Sequence, residues 1–182
     1  LPSDGKVLID GEELTRRNLS QKRRLSVITQ EYSMRQDMTM DEVMEYQGRL
    51  YYMPKKLIRQ KTEELLEFTG LLEYRHKIVR HLSGGMKRKL MICRALMVEP
   101  EILLLDEPTA GLDPRGRDEI LDRVKALNSE WGLTVILVSH SMEDVAKYAD
   151  RLLVMSGGEK RFDGTPKEVF KHYEELEELG LS

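Results

Sequence analysis

The stretch "EILLLDEPTAGLDP" (Glu101 to Pro114) constrains this chain more than any other: an apolar run of strand length ends on two adjacent acids. Such a run suits a buried strand of a parallel sheet. In open α/β sheets ligands bind beyond the carboxyl ends of the strands. Asp106 and Glu107 sit at that position, where carboxylates can serve a metal and a phosphate. A second apolar run, "TVILVSH", ends likewise on Ser139 and His140. A phosphate loop would normally accompany such a strand, yet no Gly-Lys-Ser/Thr occurs in the 182 residues; the one Gly-Lys pair, Gly5-Lys6, is followed by Val7.

Strands and helices alternate along the chain, which implies a parallel sheet covered on both faces. Short strands are expected at Lys6–Asp10, after a turn at Pro2–Gly5, and at Leu25–Thr29. The strand at Lys6–Asp10 is expected to need partners that the few residues before it do not supply. Thr39 and Glu42 have capping-box spacing before Met40, Val43, Met44, Leu50 and Tyr51. Pro54 opens a second helix with Leu57, Ile58, Leu65 and Leu66 on one face, and Gly70 ends it. A third helix follows Ser83, with Met86, Leu90, Cys93 and Met97 spaced as one face requires. Asp113 caps a fourth, with Pro114 first and Ile120, Leu121, Val124 and Leu127 inward. "SMEDVAKYAD" is a short helix, and "RLLVM" is a third strand. Gly157-Gly158 turns the chain into an antiparallel edge, "KRFDG", and Thr165–Glu168 caps a final helix. The all-helical stretch, about 38–80, reads as an insertion into a sheet core made of 1–37 and 81–182.

Composition removes several classes. At 182 residues with 40% hydrophobic content, the chain suits one domain with a sizeable core. A net charge of -3 gives no reason to expect nucleic acid as the main partner. Gln21–Arg24 reads as a solvated surface turn. Cys93 is the only cysteine, so no internal disulfide forms, which fits a reducing cytosol. No apolar run within these residues approaches the ~18 residues of a membrane span, and none reads as a signal peptide.

Each candidate residue has a plain structural alternative. Asp106 is placed to hold Mg²⁺ through water, and Glu107 to polarise an attacking water; both also suit helix capping. His140 can reach a γ-phosphate, or serve as a cap or a core histidine. In "HLSGGMKRKL", Ser83 caps the next helix and Gly84-Gly85 leave backbone N–H groups bare at its positive end, a setting that favours phosphate. Alone, Ser-Gly-Gly is equally a simple turn.

Together these motifs resemble the nucleotide-binding subunits of ATP-binding-cassette transporters. "LSGGM" (Leu82 to Met86) is similar to the family signature, "ILLLDE" (Ile102 to Glu107) to its Walker B strand, and "AGLD" (Ala110 to Asp113) to its D-loop. His140 resembles the switch histidine, and Gln30 in "VITQE" the glutamine that senses Mg²⁺ and contacts the membrane subunit. The resemblance implies an α/β, P-loop NTPase-like core with an inserted helical subdomain, truncated at its N-terminus. It implies ATP and Mg²⁺ as ligands, with Ser83, Gly84, Gly85, Gln30 and Asp113 on nucleotide, Asp106 and Gln30 on metal, and Glu107 and His140 catalytic. It implies a second ATPase subunit and transmembrane subunits as partners, at the cytoplasmic face of a cell membrane. In the family the phosphate loop precedes the turn that "KVLIDGEEL" resembles, so the expectation is a subunit inactive alone. The alternative is a non-hydrolysing interaction or regulatory module that keeps the fold. The second half, "PTAGLDPRGRDEIL" and "DGTPKEVF" among it, is similar to ATPases of energy-coupling-factor importers. The first half looks more like exporter ATPases of the drug and lipid type.

Overall fold

A computed structural model describes residues 5–15, 18–31 and 33–181, apart from the Leu19 side chain. Positions 2–4 of the expected first turn lie outside the described residues. The described residues fall into two compact units, Leu1–Leu137 and Val138–Ser182.

The first unit opens with an antiparallel hairpin of β1 (Leu8–Ile9) and β2 (Glu12–Glu13). Asp10 and Gly11 both take positive φ, 50° and 82°, and so reverse the chain at once. The strand expected at Lys6–Asp10 is therefore only two residues long, and its partner follows it. The charge run expected as a surface turn is part of a helix, α1 (Leu19–Arg24). Asn18 caps it by accepting from the Gln21 amide at 3.3 Å, and three basic residues occupy the last turn, where the helix end is negative. Gln21 is buried and donates to Glu12, and Arg24 pairs with Glu101 and Asp10.

β3 (Leu25–Ile28) comes next, then α2 (Met40–Leu50) and α3 (Lys55–Phe68). The capping box forms as expected: Thr39 Oγ1 accepts from the Glu42 amide at 3.3 Å, and Glu42 accepts from the Thr39 amide at 2.7 Å. Pro54 is the cap residue of α3, and Gly70 ends it at φ 69°. Two residues expected inside are outside. Leu50 is 53% exposed and Leu57 is at the edge of exposure, 36%. The buried stripe of α2 runs Met40, Val43, Met44, Gly48, so the helical period passes through glycine rather than Leu50. On α3 it runs Ile58, Thr62, Leu65, Leu66, and Leu57 lies one step round the helix from it.

α4 (Gly84–Leu96) follows two short 3₁₀ turns, at Leu72–Tyr74 and Val79–His81. Leu90, Cys93 and Met97 are fully buried as expected, but so are Met91 and Ile92 on other sides of the helix. Burial pushes the Cys93 thiol up to about 12. β4 (Ile102–Asp106), α5 (Pro114–Trp131) and β5 (Thr134–Val138) complete the unit. All four residues expected inward on α5 are buried. The three strands form one sheet in the order β3-β4-β5, with β3 and β4 parallel. Ile28, Leu103 and Leu105 pack into the core with α4 and α5, and Val135 and Leu137 lie against it.

The expectations of a sheet covered on both faces and a buried "TVILV" are corrected here. Val27, Ile136 and Val138 are 50%, 45% and 47% exposed. Residues alternate across a strand, and within the first unit only one side of this sheet packs on the described helices. The strand expected at "RLLVM" forms, and so does the antiparallel edge expected at "KRFDG", but the two stand outside the parallel sheet. In the second unit, after α6 (Met142–Tyr148), β6 (Leu152–Ser156) pairs antiparallel with β7 (Glu159–Gly164) in a separate two-stranded sheet. Gly157 and Gly158, at φ 61° and 80°, fold β7 straight back on β6. The final helix is split. The Thr165–Glu168 box caps α7 (Pro166–Val169), a 3₁₀ turn follows, and α8 (Tyr173–Glu178) ends the unit.

Gly48 is where α2 and α3 approach. A Cβ there would sit 2.5 Å from Ile58 Cγ1, inside any real contact distance, and Ile58 is buried. Gly48→Ala is expected to destabilise the chain by about 1–3 kcal/mol although alanine favours a helix. Combined with Ile58→Val, which frees space, the loss should be smaller than the two single losses added. Urea unfolding of the four proteins checks this, and strict additivity would count against the contact.

Candidate functional site

The parallel register of β3 and β4 builds the site. Ile28 faces Leu105 in the last pair of the register, so Gln30 and Asp106-Glu107 leave neighbouring strands at the same end. Asp106 is the last residue of β4 and is half-buried. Glu107 takes φ 46°, a left-handed conformation that costs a non-glycine residue about 1–2 kcal/mol. The following turn holds it there. The Glu107 carbonyl accepts from the Ala110 amide at 3.1 Å, and the Thr109 carbonyl from the Leu112 amide at 3.1 Å. The left-handed residue breaks the strand's alternation at the second acid.

The same loop delivers Asp113 to the start of α5. Its Oδ1 accepts from the Gly116 amide at 3.3 Å, so its carboxylate is the helix cap. A Cβ on Gly116 would lie 2.8 Å from that oxygen, which explains the glycine in "DPRGRD". Sequence reasoning passed over this residue.

Ser83 caps α4, its Oγ accepting from the Met86 amide at 3.3 Å. Ser83 and Gly84 are exposed, and nothing lies within 4 Å of where a Gly85 Cβ would be. The first turn of a 13-residue helix therefore opens to solvent, with the positive end of its dipole outward. One helical turn further on, the buried Arg88 donates to the carbonyls of Thr29 and Gln30, at 3.0 Å each. This ties α4 to the strand end that carries Gln30. Arg88 also escaped sequence reasoning. The usable signal was a second stripe on α4, Arg88, Met91, Ile92 and Ala95, which puts a cation in line with apolar residues.

His140 lies in the second unit, two residues past β5, and is exposed. Beside it, Ser139 Oγ accepts from the Ser141 amide at 3.1 Å, and Ser141 caps α6. Thus Gln30, Asp106 and Glu107 all follow the same end of the β3–β4 pair, Asp113 closes the loop after Glu107, and the helix that Ser83 caps is tied to the Gln30 main chain through Arg88. No cluster of three or more His, Cys, Asp or Glu able to hold a metal occurs among the described residues. The Asp106 carboxylate and the Gln30 amide oxygen are hard oxygen donors, and they fit magnesium, which takes few protein ligands and keeps water.

A family model described as ABC transporter matches residues 1–110. The chain belongs to the ABC transporter family. It is 39% identical over its whole length to the energy-coupling factor transporter ATP-binding protein EcfA2 of Clostridium perfringens, and spans 66% of that protein. The EcfA2 protein of Acetivibrio thermocellus is 41% identical, again over the whole chain and 66% of the relative. The solved structure of cbiO1 from Clostridium perfringens, part of the ABC transporter complex cbiONQ, superposes with a TM-score of 0.84 at 29% identity, covering 99% of this chain and 73% of that one. The chain thus spans about two thirds of the length of the curated relatives it matches. The α/β fold with a parallel sheet agrees with that structure.

Ser83 has a measurable structural duty apart from any ligand. Ser83→Ala is expected to cost about 1 kcal/mol through loss of the cap, whereas Ser83→Asp, an equally good cap, should hold stability near the parent value. The urea midpoints of the three proteins check this. Equal midpoints for the alanine and parent proteins would show that the cap contributes nothing.

Proposed function

We propose that the chain is the nucleotide-binding part of a transporter ATPase of the energy-coupling-factor type, which couples ATP binding and hydrolysis to movement of a solute across a membrane. The observation that carries this reading is the β3–β4 register, which sets Gln30 beside Asp106 and Glu107 at one strand end. Asp106 and Gln30 hold Mg²⁺, largely through water, and the metal when bound offsets charge on the β- and γ-phosphates. Glu107 orients the attacking water and accepts its proton. His140 hydrogen-bonds the γ-phosphate, and Asp113 lies at the subunit contact. Ser83, Gly84 and Gly85 receive the phosphates of ATP held by a second subunit, an anion meeting the exposed helix end.

The partners are a second ATPase subunit and transmembrane subunits, with the chain peripheral at the cytoplasmic face. Among the described residues no helix is long and apolar enough to cross a membrane. Residues 38–80 form the helical subdomain, and 1–37 with 81–182 the sheet core. The exporter-like features of the first half compete with this assignment, but the similarity to EcfA2 proteins over the whole chain favours an importer. The second reading is a docking or regulatory module that keeps the fold without hydrolysing ATP.

Both readings predict that the 182-residue chain alone turns over Mg-ATP no faster than its Glu107→Gln variant. They part when a Gly-rich phosphate loop is placed ahead of Leu1. The ATPase reading expects that protein to hydrolyse ATP. Its Glu107→Gln variant should then bind Mg-ATP and lose about 10²-fold or more in turnover, since a carboxamide cannot accept the proton. Trapped ATP should hold two copies together in size-exclusion chromatography, and Ser83→Arg should separate them. Undiminished turnover in Glu107→Gln would overturn the catalytic assignment, and no nucleotide-dependent association would favour the docking module.

A further inference from the structure

Arg88 is 1% exposed, and its two terminal nitrogens donate to the consecutive carbonyls of Thr29 and Gln30, both at 3.0 Å. Those carbonyls lie past Ile28, beyond the last β3–β4 pair. A guanidinium is a rigid planar fork, so a pair of bonds to adjacent carbonyls fixes orientation as well as distance. The same helix grips the same segment twice more. Ser26 Oγ donates to the Ala95 carbonyl at 2.9 Å, and Arg94 donates to Ser33 Oγ at 2.9 Å. α4 is thus clamped along 26–33, with Arg88 the clamp nearest its exposed first turn.

We propose that Arg88 is a positioning residue that makes the anion-facing end of α4 and the main chain at Gln30 move as one body. The bearing on nucleotide rests on the reading of Ser83–Gly85 and Gln30 as its contacts; the mechanical linkage stands on the geometry alone. Four residues of helix separate Ser83 from Arg88, and a hydrogen-bonded helix transmits displacement along its axis with little give. A phosphate drawing on the first turn therefore draws on the Thr29 and Gln30 carbonyls. The Gln30 side chain, at the metal and at the membrane-subunit contact, follows. The device links a partner's nucleotide to this subunit's own strand end. Neither a lysine nor a glutamine reproduces it, because a single head group cannot set two bonds in a fixed plane.

Residue-resolved hydrogen exchange on the 182-residue chain tests the linkage without nucleotide, so its outcome is independent of the ATPase reading. In the parent protein the amides of 29–31 and 86–88 should open together, with the same urea dependence. Arg88→Met should speed exchange at 29–31 by about tenfold or more, the loss expected for charge-assisted bonds, and give the two segments separate urea dependences. The α5 amides of 118–127 should keep their parent rates. Arg88→Lys and Arg88→Gln, which retain a donor, should fall between parent and Arg88→Met and serve if the methionine variant does not fold. Leu90→Ala, a truncation of a fully buried neighbour on the same helix, is the control. It should speed α4, β3 and α5 alike. If the Arg88 variants show that same uniform loss, or leave 29–31 and its urea dependence unchanged, Arg88 is only part of the core and the proposal falls.

Discussion

The pairing of β3 with β4 is the constraint on which the rest of the first unit depends. It joins segments far apart in the chain, with the whole α2–α3 region between them. Its register decides what stands beyond the strands. With Ile28 opposite Leu105, a glutamine and two acids share one strand end; a slip of one residue would send Leu103 and Leu105 from the core to the exposed side. The pairing is also anchored at its start. The Glu101 amide donates to the Arg24 carbonyl at 2.9 Å, and the Arg24 side chain pairs with the Glu101 carboxylate at 2.6 Å. Register is thus set by a polar clamp at one end and by buried leucines along the middle, and the candidate site occupies the other end.

α4 converts that register into a fixed three-dimensional site. It is buried on several sides, with Leu90, Cys93 and Met97 on one stripe and Met91, Ile92 and Ala95 on another. A helix so enclosed cannot rotate without disturbing two packed faces. Its first turn alone is open, and that turn holds Ser83, Gly84 and Gly85. Rigid packing behind and exposed backbone donors in front are what an anion site at a helix end needs.

Local rules were legible in the sequence, and long-range ones were not. The caps at Thr39, Ser83, Asp113 and Thr165 were readable because each depends on residues within four positions. The inward stripe of α5 was readable from its period. By contrast, Gln21–Arg24 reads as a solvated run until distant Asp10 and Glu101 are seen to hold Arg24. The exposure of Ile136 and Val138 depends on which element covers which face, and an apolar run does not encode that. The same division holds in the site. The residue types at the ends of "ILLLDE" and "VITQE" were visible, but that they lie side by side follows only from the register. His140 was visible as a strand-end histidine, and the structure places it in the second unit.

Glu107 shows why the strand end is more than a place where two acids fall. Left-handed backbone at a glutamate is disfavoured, and glycine would relieve it at once. The turn through Ala110 and Leu112 and the cap at Asp113 hold the conformation, so the loop offsets a strain that capping alone does not require. A plain helix-capping loop would need only Asp113. The strain at Glu107 instead separates the acids by position: Asp106 completes the strand, and Glu107 departs from the strand's alternation. Under the proposed function that is the division the chemistry requires, one carboxylate for a hydrated metal and a second for the water that attacks.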